Sequence, residues 1–428
     1  MATLWMIVTF LGLAVLGVPV CAAMGIGAFL GLALIGAPLD TFPRYVLADV
    51  RSVPLLAIPF FILAGNLMNR FGLTRRIFDF IQTLVGAFRA GLAQVTVLSS
   101  VVFAGISGSA LADIAGLGTM QIETMRRAGY RAEFAAALTM ASSLLAPIIP
   151  PSIMFIIYAV MMNVSVGHLF VAGVLPGLAM AAILLINNYI IARTGWENIP
   201  VTRRSSWREI WSAFWRALPA LLTPVVILRS MITGLVTPTE ASVLAVLYSL
   251  LLGLLYREIN WASLRDAFTA TARTTTLIMF LTGMGSVMSF VITSEQVAEQ
   301  MALQLVSATD NKWAILSLVT LALIILGCFM ETVPAMLISI PLFGPLVVKF
   351  GIDPVHFGVV LTYALLLGIV HPPVGLGLFT VCAVARLKIG AVAIASMKFY
   401  PAFMAVLLLF MFVPELSTWL PSVVFPKK

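Results

Sequence analysis

Two proline pairs, Pro150-Pro151 and Pro372-Pro373, interrupt stretches that otherwise read as apolar helix, 141–152 and 367–375. Proline removes a backbone donor and clashes with the preceding turn, so two in a row end one half-helix and start another. Carbonyls at such a break lose their helical partners, and the next half-helix presents free N–H groups and a positive dipole end. The carbonyls suit a hard cation such as Na⁺, and the N–H groups suit a carboxylate. The residues able to bind an anionic substrate are therefore Pro150, Pro151, Ser152, His371, Pro372 and Pro373, together with Ser107, Gly108 and Ser109 in a glycine-punctuated stretch upstream. The residues able to hold Na⁺ are Gly105, Ser107, Asp113, Gly327, Glu331, Thr332, Gly368 and Gly375. No Lys or Arg lies at either break, so a carboxylate would rest mainly on backbone donors and hydroxyls.

Asp113 and Glu331 are acids expected at membrane depth, where ionisable groups are costly and default to functional hypotheses. Pairing or a hydrogen bond to nearby backbone is the equally weighted structural alternative. His371 could contact substrate, donate to a carbonyl, or confer pH sensitivity, since an unperturbed imidazole titrates near ~6.5. A neutral His with one local hydrogen bond is the plain alternative.

The elements that position these residues recur. Pro372 follows Pro150, Gly327 follows Gly105, and Gly351 follows Gly129 at one spacing: 372 minus 150, 327 minus 105 and 351 minus 129 all give 222. Of 428 residues, 61% are hydrophobic and 10% charged, against about 25% charged in a soluble domain. Mean hydropathy is +1.09. Apolar runs of roughly 17–25 residues, enough to cross a bilayer, recur along the chain. These features predict an all-α polytopic membrane protein with about ten to twelve apolar segments, and no signature of a membrane β-barrel. The net charge of +8 comes from Arg collected in short loops, as in cytoplasmic loops, and does not point to nucleic acid.

Charge also orients the loops. Arg70, Arg75, Arg76 and Arg89 place 70–90 in the cytoplasm, whereas its counterpart 292–312, with Glu295, Glu299 and Asp310 against Lys312, fits the outside. Arg386, Lys388 and Lys398 place 386–398 in the cytoplasm, and the uncharged counterpart 164–176 outside. Equivalent loops on opposite faces define two inverted-topology repeats. Because Arg126, Arg127 and Arg131 follow it, 91–123 must enter and leave on one face as a re-entrant hairpin, and 313–350 does the same from the other side. Each repeat then holds a re-entrant hairpin and a Pro-broken helix. The domains expected are 1–90, scaffold; 91–163, first hairpin and broken helix; 164–216, crossing helix and amphipathic linker; 217–312, second scaffold; 313–385, second hairpin and broken helix; and 386–428, C-terminal helix.

The linker 193–216 carries Arg193, Arg203, Arg204, Arg208 and Arg216 with Trp207, Trp211 and Trp215 at helical spacing, which suits an amphipathic helix in the interface. Segment 257–273 reads similarly, and a solvated loop with a Trp belt is the alternative for both. Cys21, Cys328 and Cys382 are isolated in apolar segments and read as packing residues. The start of the chain lacks the basic flank of a signal peptide and reads as the first membrane helix. The trace puts both termini outside.

Segments 56–65, 103–113, 147–152, 237–241, 351–358, 372–375 and 413–417 occur in an order that resembles the large membrane subunit of the tripartite ATP-independent periplasmic (TRAP) transporters over nearly the whole length. The resemblance implies a multi-pass protein of the bacterial inner membrane and an elevator-type secondary transporter driven by a sodium gradient. It also implies a small four-helix membrane subunit, a periplasmic substrate-binding protein and a small carboxylate as partners, with no organic cofactor. On that resemblance the chain is expected to be too short to include a fused small subunit as well. Glu331 stands where that family usually has Asp, Ala364 where Asn is common, and His371 where Thr precedes the Pro-Pro; Asn and Thr could supply oxygen ligands, so their loss weakens the expected second cation site. Proton coupling is the alternative reading. Gly105-Ile106-Ser107-Gly108 also matches a GxSG pattern, so an intramembrane serine protease using His371 or His356 is the rival from another class. A channel would not need two opposed hairpins. No HExxH, Walker A or dinucleotide fingerprint is present.

Overall fold

The computed structural model describes residues 1–197, 200, 205–308, 311–372 and 375–426, with the side chains of 49 and 305–308 excepted. Arg203, Arg204, Asp310, Pro373 and Val374 lie outside the described residues. Among the described residues every regular element is a helix, as expected where backbone groups must pair internally in lipid.

The chain opens with α1 (Ala2–Val15) and α2 (Val20–Leu34), packed on each other, then α3 (Thr41–Val50), α4 (Ala57–Arg70) and α5 (Leu73–Val85). The first hairpin is α6 (Gly91–Ser107) with a return arm of α7 (Ala110–Ala115) and α8 (Leu117–Arg127). The first broken helix is α9 (Ala132–Ser143) and α10 (Ile153–Met162). There follow α11 (Val166–Thr194), α12 (Trp207–Ile232), α13 (Pro238–Leu255), α14 (Trp261–Ser294) and α15 (Val297–Ala308). The second hairpin is α16 (Lys312–Phe329) and α17 (Thr332–Lys349), and the second broken helix α18 (Pro354–Val370) and α19 (Leu376–Ala385). The chain ends with α20 (Ile389–Ser396), α21 (Tyr400–Phe412) and α22 (Glu415–Val424). Among the described residues, eight helical stretches are long and apolar enough to cross a membrane.

The 222-residue spacing carries α6 onto α16, the α7–α8 arm onto α17, α9 onto α18, α10 onto α19, and α11 onto α20 and α21. The repeats interlock rather than sit side by side. In the first repeat α10 packs on α17 and α18 of the second, while α19 packs on α7, α8 and α9 of the first. Outside this centre, α4 packs on α13 as α14 packs on α2. The two breaks thereby lie within one interlocked unit, flanked by α4 and α14.

Three expectations change. The two basic, Trp-bearing arms are not separate surface elements. Ser206 and Glu209 form a reciprocal capping box that starts α12 at Trp207, and Asn260 caps α14 through the Ser263 N–H at 2.7 Å. Both helices then run on as candidate spans of 26 and 34 residues. Trp207, Trp211 and Trp215 remain outward-facing on the first turns of α12. The start of the chain is two helices of 14 and 15 residues around a turn at Gly17, not one span. At ~1.5 Å per residue neither alone crosses a ~30 Å hydrocarbon core. The return arm of the first hairpin bends at Gly116, whereas α17 continues through Pro341 and Pro345.

Candidate substrate cavity

The first hairpin turns at Gly108, whose φ of +63° is left-handed, and Ser109 restarts the chain by capping the Ala112 N–H. A Cβ on Gly108 would stand 2.7 Å from the Pro151 carbonyl oxygen, so the hairpin tip rests on the first break and only glycine fits. The Ser107 hydroxyl donates to Asp113 Oδ1. Asp113 is 2% exposed, and its Oδ2 has no partner among the described residues.

At the break the Pro150-Pro151 bond is cis. Ser152 is fully buried and its hydroxyl is committed twice: it donates to the Pro147 carbonyl at 2.6 Å and accepts the Phe155 N–H at 3.2 Å. It is the N-cap of α10. The second hairpin turns at Met330 and Glu331, with Glu331 in the N-cap position of α17 but making no capping bond. At the second break the His371 ring bonds the Leu367 carbonyl through Nδ1 at 2.7 Å and packs edge-on to Tyr400. Gly375 donates its N–H to the Cys328 carbonyl at 3.2 Å, tying this break to the second hairpin as Gly108 ties the first. Gly327 and Gly368 meet backbone to backbone.

A cavity of about 130 Å³ lies between these parts and the flanking helices. One wall is the first hairpin tip (Ser107, Ser109, Ala112), the start of α10 (Ile153, Met154) and the second hairpin tip (Glu331, Val333). The other is α4 (Ile62, Gly65, Asn66, Asn69) and α14 (Thr274, Leu277, Ile278). Asn66 donates to Thr271 Oγ1 at 2.9 Å, joining the two flanking helices. Asn69 and Thr274 are exposed, and Asn69 adjoins Arg70, which pairs with Asp266 at 3.2 Å.

Of the residues singled out from sequence, Ser107, Ser109 and Glu331 line the cavity. Gly108 abuts the Pro151 carbonyl, and Gly105 approaches the Pro150 carbonyl and the Pro224 ring, so both pack the tip against the break. Asp113 lies behind the tip and Thr332 directly follows Glu331, both buried. Gly327, Gly368, His371, Pro372 and Gly375 gather at the second break and do not line this cavity. Asn66, Asn69 and Thr274 were missed. The available signal was two amides one turn apart in the apolar run that continues past Gly65.

Among the described residues no group of three His, Cys, Asp or Glu could hold a metal ion, so a cation here would rest chiefly on carbonyl and hydroxyl oxygens. The protease geometry is absent. Ser107 bonds Asp113 and the Ser109 carbonyl, His371 bonds Leu367, and His356 bonds Ser417 Oγ at 2.9 Å, so neither His serves Ser107 as base.

Inverted repeats of helices, each with a hairpin and a broken helix around a mid-chain cavity, define a secondary-transporter architecture. In agreement, the fold matches a solved Alcanivorax borkumensis transporter, YdaH, with TM-score 0.64 at 14% identity, covering 92% of this chain and 90% of that one. Residues 7–416 match the family described as "Tripartite ATP-independent periplasmic transporter, DctM component". The chain belongs to this family and is a multi-pass inner-membrane transporter permease, not an enzyme. It is 35% identical to the large permease protein of a sialic acid TRAP transporter from Vibrio cholerae, covering 89% of this chain and 88% of that one. It is 36% identical to that of a C4-dicarboxylate TRAP transporter from Pseudomonas aeruginosa, covering 86% of each.

Proposed function

We propose that this chain is the large permease subunit of a sodium-driven importer of an organic acid, loaded by a periplasmic binding protein and completed by a small membrane subunit. The observation that carries the reading is the position of the cavity: hairpin tips and a half-helix start form one wall, and continuous flanking helices form the other. In this reading the interlocked hairpins and broken helices (91–163 and 313–385) move as a body against the α4 and α14 side, carrying the substrate as an elevator. The relatives named for sialic acid and C4-dicarboxylate transport support an organic acid as the substrate class. Sodium enters as co-substrate. Asp113 supports its placement, since a buried carboxylate oxygen without a partner is costly unless a cation meets it. Ser107 and the carbonyls at the first break would complete that coordination.

Uptake in proteoliposomes holding this chain and its small partner tests the reading, with loaded binding protein outside and a sodium gradient imposed or withheld. Uptake should require both. Uptake driven by a proton gradient without sodium would overturn the coupling ion and leave the carrier.

A further inference from the structure

The amphipathic α5 buries Leu73, Ile77, Phe78 and Ile81 and leaves Arg75 and Asp79 exposed. It packs on α12, where Phe80 meets Phe214 with ring centroids 5.6 Å apart. Burial pushes the Asp79 carboxyl up, while Arg75, Arg216 and Arg76 pull it back, so guanidinium groups of both helices stand around it. Arg76 is already matched: it pairs with Glu258 at 3.0 Å and lies over the Tyr256 ring. Arg75, Arg208 and Arg216 form no ion pair among the described residues. Glu209, the acid on these first turns of α12, caps its own helix. Three guanidinium groups therefore face one carboxylate. Along α12, Arg208, Trp211, Trp215, Leu222 and Val226 recur on one face. Trp211 and Trp215 are more than half exposed and meet edge-on at 5.7 Å, and Leu222 and Val226 are exposed beyond them. The face runs from a cation through amphipathic rings to bare aliphatic surface, as a bilayer does from headgroup to hydrocarbon.

We propose that Arg75, Arg208 and Arg216, framed by Trp211 and Trp215, hold the headgroup of an anionic phospholipid whose chains lie along Leu222 and Val226. An arginine fork matches a phosphate with two parallel hydrogen bonds. A choline or ethanolamine headgroup brings a cation of its own, which opposes the three guanidinium groups, and an anionic headgroup does not. A folded protein partner would have to withdraw these charges from water, whereas a headgroup leaves them at its edge. The bound lipid braces α5, which leads into the first hairpin, on α12. The site is separate from the cavity and independent of the substrate carried.

The test follows thermal unfolding of the purified full chain in detergent with added cardiolipin, phosphatidylglycerol, phosphatidylcholine of matched chains, or inorganic phosphate. The midpoint of the native chain should rise with cardiolipin and phosphatidylglycerol and hold steady with phosphatidylcholine and inorganic phosphate. Arg75→Gln combined with Arg216→Gln, and Arg208→Gln alone, should raise the lipid concentration for half the shift by about ten-fold or more, as for loss of charge-assisted hydrogen bonds. Arg51→Gln, the same charge change at an exposed position after α3, is the control and should respond as the native chain does. If the double variant does not fold, Arg208→Gln decides. An equal rise with phosphatidylcholine, native response in the patch variants, or an equal loss in Arg51→Gln would overturn the proposal. A rise with inorganic phosphate alone would make the patch a site for free anions and overturn the lipid. With the small membrane subunit bound the lipid effect should persist, and its loss there would assign the patch to that protein instead.

Discussion

Behind the cavity, buried polar side chains fall into two kinds. Ser152 spends its hydroxyl on Pro147 and Phe155, so its role is to restart the chain as α10 after the break. Asp113 keeps one oxygen on Ser107 and leaves the other without a partner among the described residues. The difference sets up a test. Asp113→Asn still accepts the Ser107 hydrogen bond but removes the charge. The sodium concentration for half-maximal uptake should rise on the order of ten-fold, equivalent to ~1.4 kcal/mol. A sodium titration that superimposes on that of the native chain would remove Asp113 from the cation site. His371, whose sequence position suggested substrate contact, makes one local hydrogen bond and an aromatic contact at the second break.

At the scale of elements, each hairpin is held to its broken helix by backbone contacts that only glycine allows. A Cβ on Gly327 of α16 would stand 2.5 Å from the Leu365 carbonyl oxygen of α18 and 3.2 Å from the Gly368 Cα. Gly327→Ala must therefore separate the helices, at a cost of about 1–3 kcal/mol by analogy with overpacked cores. Its thermal midpoint and folded yield should fall. Gly390→Ala, with nothing within 4 Å, should leave both unchanged and serves as the control. The breaks were legible because proline acts through its own backbone. The hairpins were legible because Arg126, Arg127 and Arg131 forbid a full crossing. The continuity of α12 and α14 was not, because basic and aromatic first turns look the same whether a helix stops there or enters the membrane.

For the whole molecule, the interlocked centre and the flanking helices are the two bodies whose relative movement the proposed elevator requires. Asn66→Cys on α4 and Ser109→Cys on the first hairpin, with the native cysteines replaced, put one thiol on each wall of the cavity. Bridging them with a cleavable bifunctional reagent should abolish uptake, and cleaving the bridge should restore it. Continued uptake with the bridge intact would mean that these walls do not move apart. At the far end of α14, Glu295 ties the start of α1 to the flanking body. It accepts from the N-terminal ammonium at 2.7 Å and from the Thr3 and Ala2 N–H groups at 2.6 and 2.9 Å. These contacts lower its carboxyl from the ordinary 4.5 to about 2. A depressed folded value means stabilisation that is full above the unfolded value and lost as pH falls from 4.5 toward about 2. Hydrogen exchange in α1 and α2, corrected for intrinsic rates, should therefore quicken between about pH 6 and about pH 3. Equal protection at both would leave this contact without a role in docking α1.

Composition, loop charge and the 222-residue repeat were enough to determine a polytopic helical protein, its two opposed hairpins and its two breaks. Each of these follows from local chemistry: transfer of apolar runs to lipid, the sidedness of arginine, and the missing N–H of proline. Which residues share a cavity was decided by packing between segments far apart in sequence. Asn66, Ser109, Thr274 and Glu331 come together only because α10 and α19 each cross into the other repeat and because α4 and α14 close the remaining side. Each segment's own pattern specifies that it is a helix with an apolar face, and many partners satisfy such a face. The one arrangement that buries all of them at once chooses the partner, and it does so at the level of the whole fold.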